Sequence, residues 1–126
     1  MSDTVGPVPE GRERTPRWGV AVVSGDSMRP ALRAGDRLLV DYRRTPAPGD
    51  VVIARTPGRP VLIKRASQRR TTELGEPGWW LLSDAPDHGT DSRTFGVVAA
   101  SDVLAVVVRR IWPLVRRRPV PDSRRA

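Results

Sequence analysis

The chain has 126 residues and a formal charge of +8, with 11 glycines, 13 prolines, one histidine and no cysteine. That length suits one domain with one core, and the missing cysteines exclude disulfide scaffolds, thiol nucleophiles and cysteine-based zinc sites; with His88 as the single histidine, no metal site is expected. The charge invites a nucleic-acid reading, but eight of the 21 arginines stand in two terminal groups (Arg12, Arg14 and Arg17; Arg116 to Arg118, Arg124 and Arg125), and these blocks are read as solvated tails rather than a nucleic-acid surface.

Residues 1–16 read as a polar flexible tail, 17–115 as the domain and 116–126 as a basic C-terminal tail. The first predicted strand is Trp18 to Ser24, ending in the turn-rich Gly25-Asp26-Ser27-Met28-Arg29-Pro30. Gly35-Asp36 leads to a second strand, Arg37 to Tyr42. After the turn Thr45 to Asp50 come strands Val51 to Arg55 and Val61 to Ala66. Residues 67–78 are polar and read as a hairpin or loop, and Trp79 to Ser83 returns to strand, one tryptophan in and the other out. Asp84 to Thr94 reads as a polar loop in which His88 is a surface residue, and Phe95 to Ala99 and Val103 to Trp112 supply the last strands. Short apolar runs at roughly ten-residue spacing predict an all-β, coiled or closed sheet.

One basic residue is unlike the other 21. Lys64 is the single lysine among 22 basic residues, and it follows the apolar Val61-Leu62-Ile63. A guanidinium, with a pKa above about 12, keeps its proton, whereas a buried ammonium is pushed down from about 10.4 and can serve as a general base. A serine hydroxyl needs such a base to become a nucleophile. Ser27, in a tight turn after a strand, is a candidate for that nucleophile, although the same residue types are ordinary in turns. A lysine snorkelling to solvent is the ordinary alternative for Lys64.

The stretches Ser24 to Pro30, Gly35 to Val40, Pro48 to Ile53, Leu62 to Arg65, and Ser83 to Ala85 with Thr90 to Gly96 resemble, in order, the boxes of the signal peptidase I proteases. The resemblance covers about residues 18–112. It implies the all-β catalytic core shared with LexA-type self-cleaving repressors, with Ser27 as nucleophile, Lys64 as general base and the Ser27 backbone N–H in the oxyanion hole. It further implies a supporting position for Asp84 and a structural ion pair between Asp91 and Arg93 beside Ser92, with the substrate strand bound by β-addition. Met28 and Val52 are the candidates for lining a substrate pocket, and no cofactor is implied. Four positions depart from the pattern: Gly25 stands where some relatives place a hydroxyl, Ser83 and Ala85 turn Gly-Asp-Asn into Ser83-Asp84-Ala85, and Gly89 replaces a serine that contacts the lysine in some members.

The opening residues contain no apolar stretch of signal-peptide type, and the run Val103 to Val108 is too short for a bilayer, which needs about 20 residues. The expectation is therefore a soluble, cytoplasmic endopeptidase without an integral membrane segment. Its small size, arginine content and Gly-Trp-Trp-Leu-Leu segment at 78–82 are similar to the nickel-type superoxide dismutase maturation proteases, which implies as partner a precursor protein, the nickel superoxide dismutase proenzyme. The alternatives are cleavage of secretory precursors after recruitment to a membrane by Trp112 and the basic tail, and an inactive basic binding module. The oligomeric state is left open.

Overall fold

The computed structural model describes residues 16–113. All but the last residue of the expected N-terminal tail, and the whole of the expected C-terminal tail, lie outside these. The strands are β1 (Trp18–Val22), β2 (Arg37–Asp41), β3 (Val51–Ala54), β4 (Leu62–Thr71), β5 (Pro77–Leu82), β6 (Val98–Ala99) and β7 (Val103–Trp112). They form one curled antiparallel sheet in the order β1-β2-β7-β3-β4-β5-β6, so the expected all-β fold holds. Register shifts interrupt the β2/β7, β3/β7 and β4/β5 pairings. Bulges of this kind bend a strand and raise its local twist, which lets a seven-stranded sheet curl.

Strand alternation sends apolar residues to both faces. Ile53 and Ala105 join Val23, Met28, Leu32, Leu38 and Val40 in one buried cluster. Their chain neighbours Val52 and Val106 join Ala54, Ala66, Trp79, Leu81 and Val98 in another. β3 and β7 therefore carry core on both sides, as continuous apolar runs do and alternating ones do not. The turn after β1 folds back over the first cluster: Val23 N–H donates to the Asp36 carbonyl and Gly35 N–H to the Val23 carbonyl, both at 2.9 Å. Met28 is the anchor of that turn, at 2% exposure.

One element differs from the sequence expectation, and another takes one of the two forms expected. The polar segment at 67–78 is a hairpin: β4 runs on to Thr71, β5 starts at Pro77, and the two pair antiparallel. Across it the guanidinium groups of Arg69 and Arg70 lie over the rings of Trp79 and Trp80, at 5.0 and 4.0 Å from their centroids. The expected strand Phe95 to Ala99 shrinks to β6, because Asp91 caps a single helical turn, α1 (Ser92–Phe95), by accepting the Arg93 N–H.

Leu81 is fully buried between the strands that carry the site described next. Leu81→Ala should cost about 2–5 kcal/mol, read as a lower urea midpoint with an unchanged slope.

Candidate active site

The turn at 24–30 and the start of β4 face each other across a cleft of about 260 Å³. Val22 to Gly25, Ser27 and Met28 line one side, and Pro60 to Lys64 the other. Ser27 is half-buried there, and Lys64 is 3% exposed. The two converge on one point: a Cβ placed on Gly89 would lie 3.2 Å from Lys64 Nζ, 3.6 Å from Ser27 Oγ and 2.8 Å from Ser27 Cβ. A side chain at position 89 would thus press on both, and the glycine lets the loop close against Ser27.

Burial is the leading influence on Lys64 and lowers its pKa from the ordinary lysine value, with the negative charge of Asp91 acting in the opposite direction. Lys64 Nζ donates to Ser83 Oγ at 3.0 Å. The snorkelling alternative does not apply, because the amine stays inside.

The segment Ser83-Asp84-Ala85, a departure from the family pattern, ties the cleft together. Ser83 meets the lysine, Asp84 takes a two-pronged ion pair from Arg65 at 2.9 and 2.7 Å, and Ala85 N–H donates to the Ser27 carbonyl at 2.7 Å. Below it, Asp91 accepts from Ser83 N–H at 2.9 Å and from Arg93 Nε and Nη2 at 3.0 and 2.8 Å. Ser92 Oγ accepts the Leu81 N–H at 2.9 Å, locking α1 onto β5. Burial pushes the Asp91 pKa up, but Arg93 and two backbone N–H groups outweigh it and hold the carboxyl at about 2.

The sequence-expected residues therefore separate into three groups. Ser27 and Lys64 come together in the cleft, and Asp84, Asp91, Ser92 and Arg93 form the frame beneath it. Met28 touches the cleft from the core. Val52 does not reach it: fully buried, it pairs with Lys64 from β3, on the face of the second cluster, and supports the lysine's strand. His88 is exposed at the end of a short 3-10 turn. Sequence reasoning missed Ser83, Arg65 and the Ala85 N–H as site elements, since their roles depend on strand register. The adjacency of Lys64-Arg65 and of Ser83-Asp84 was the available signal.

A half-buried serine sharing a cleft with a buried lysine on a curled all-β sheet is an arrangement compatible with a serine-type peptidase, and the family match and the relatives place the chain in that class. The chain belongs to the Peptidase S24-like family, whose model matches residues 7–108. It is similar to mitochondrial inner membrane protease subunit 1 of Xenopus tropicalis, 30% identical over 125 aligned positions that span 82% of this chain and 75% of the relative. It is also similar to the protein of that name from Schizosaccharomyces pombe, 28% identical over 115 positions spanning 75% of this chain and 73% of the relative. These relatives overturn the expectation of a cytoplasmic enzyme, since both are named for a membrane protease. That expectation came from apolar run length, which tests whether a chain crosses a bilayer and does not report the compartment. Among the described residues no helix is long and apolar enough to cross a membrane.

Two measurements test this electrostatic arrangement. The depression of Asp91 from 3.8 to about 2 represents roughly 2 kcal/mol of stability, present above the unfolded pKa and lost as pH falls through the folded one. Urea unfolding between pH 6 and about pH 2 should show that loss, and Asp91→Asn should flatten it. For Lys64 the sign is opposite. Its lowered pKa costs stability at neutral pH, so Lys64→Met should raise the urea midpoint there. The gain should disappear above pH 10.5, where the unfolded lysine is neutral as well.

Proposed function

We propose that this protein is an endopeptidase that cuts N-terminal extensions from precursor proteins at a membrane surface, with Ser27 as nucleophile and Lys64 as general base. The observation that carries the reading is the buried amine of Lys64 sharing the cleft of Ser27. Neutral Lys64 takes the Ser27 hydroxyl proton as Oγ attacks the scissile carbonyl. It then gives that proton to the leaving amine, and the acyl group stays on Ser27 until water, deprotonated by the same lysine, releases it. The Ser27 backbone N–H serves as an oxyanion donor, a contribution of about 2.7–4 kcal/mol where such a donor has been deleted.

The cleft suits an extended substrate. Among the described residues β1 is an edge strand, paired with β2 alone, and the chain just beyond it forms one wall of the cleft. A peptide laid along that wall would gain main-chain hydrogen bonds there. Val22 and Val61, at 58% and 56% exposure, give the cleft an apolar rim for small side chains.

The membrane part of the reading rests on the relatives' location together with an exposed apolar face. Trp18, Val20 and Val22 alternate along β1 toward solvent, and Trp112 is exposed at the end of β7. Arg17 lies over Trp18 and Arg37 over Trp112, at 4.8 and 5.2 Å from the ring centroids. Paired tryptophan and arginine groups of this kind suit the boundary between water and lipid. The nickel superoxide dismutase precursor gains no support from the relatives and enters the test as a competing substrate.

The test incubates the purified protein with two precursors, one carrying an apolar leader in anionic vesicles and one the nickel superoxide dismutase precursor, and reads their N-termini by mass spectrometry. Cleavage of the vesicle substrate is expected, with Ser27→Ala and Lys64→Arg each at least about 10³-fold slower. Cleavage of the dismutase precursor instead would replace the membrane reading. Full activity in either variant would refute the dyad.

A further inference from the structure

We propose that Ser83 is the positioning residue of the site, the group that aims the Lys64 amine at Ser27. This rests on the reading of Lys64 as general base. A lysine side chain has four rotatable bonds and about 2 kcal/mol of rotamer entropy, so burial alone does not direct its nitrogen. Directing it takes a fixed acceptor. Ser83 Oγ is that acceptor, 3.0 Å from Nζ.

Ser83 is itself held rigidly. It directly follows β5, is 7% exposed, and its backbone N–H is bound by Asp91, which Arg93 clamps from the other side. Its neighbour Asp84 is engaged by Arg65, and Ala85 holds the Ser27 carbonyl. The hydroxyl that orients the base and the backbone that carries the nucleophile are therefore fixed by three consecutive residues. With one N–H of the neutral amine donated to Ser83, the lone pair remains available to Ser27. In the loop at 86–90 the residue that lies against both Lys64 and Ser27 is Gly89, which has no side chain to offer.

Strand register puts the hydroxyl there. From Thr71↔Pro77 to Gln68↔Trp80 the β4/β5 ladder runs straight, and continued unbroken it would set Lys64 opposite Asp84. The bulge at Ser67 shifts the pairing to Ala66↔Leu81 and Arg65↔Leu82, so the next step brings Lys64 beside Ser83. A carboxylate there would hold the lysine charged, whereas a hydroxyl orients it without that penalty.

Because Lys64 is the only lysine, ε-¹³C-lysine labelling yields one side-chain resonance whose pH titration needs no substrate. Removing an acceptor of the ammonium lowers its pKa. The Lys64 midpoint in Ser83→Ala should therefore fall by about 0.5–1 pH unit, and Ser83→Thr, which keeps the hydroxyl, should stay near wild type. In cleavage assays Ser83→Ala should lose kcat about 10- to 100-fold with KM little changed, and the acidic limb of its kcat/KM profile should move to lower pH. If Ser83→Ala does not fold, Ser83→Cys takes its place with the same expected direction. An unmoved titration midpoint, or wild-type kcat in the folded variant, overturns the proposal. Full cleavage by Ser27→Ala or Lys64→Arg would defeat the dyad instead, and the titration would still report whether Ser83 holds the amine.

Discussion

The structure turns on keeping one amine out of water. Lys64 would lower its free energy by reaching solvent, and its four methylenes are long enough to do so from a shallow strand. It stays inside because β4 is covered on its inner face by the second apolar cluster and beside it by Ser83 and the closed loop at Gly89. The desolvation that costs stability is the same effect that lowers the amine's pKa. Stability and chemistry are therefore opposed at this residue, as they commonly are where a site is built from a buried charge.

The rest of the site offsets that cost with strong pairs placed where they do not touch the amine directly. Asp91 and Arg93, and Asp84 and Arg65, are both close two-pronged ion pairs. Each consumes a carboxylate that would otherwise attract the ammonium. Asp91 still acts on Lys64 through space, which moderates the fall in its pKa, but its oxygens are occupied by Arg93 and by the Ser83 N–H. Charge in this region is arranged so that the neutral hydroxyl, rather than either carboxylate, meets the lysine.

The same sheet presents a second surface of different character. β1 carries an exposed row of large apolar residues at the end of the fold that leads directly into the cleft. Among the described residues β1 is an edge strand, and an apolar edge of that kind is ordinarily an aggregation hazard. Under the proposed function that edge would have two uses, as a template for the substrate strand and as a face for the bilayer.

Much of this was legible in the chain itself. Composition, turn spacing and short apolar runs determine an all-β domain, because those signals are local and do not depend on what packs against what. The single lysine and the Ser24 to Pro30 turn point to Ser27 and Lys64, since few side chains can act as a base when buried. What tertiary structure decided is which groups meet them. The polar half of β4 pairs with β5 and lays its arginines over the tryptophans of that strand, a contact absent from any window of sequence. The one-residue bulge at Ser67 chooses Ser83 over Asp84 as the group beside Lys64, and register of that kind is set by packing of both faces at once.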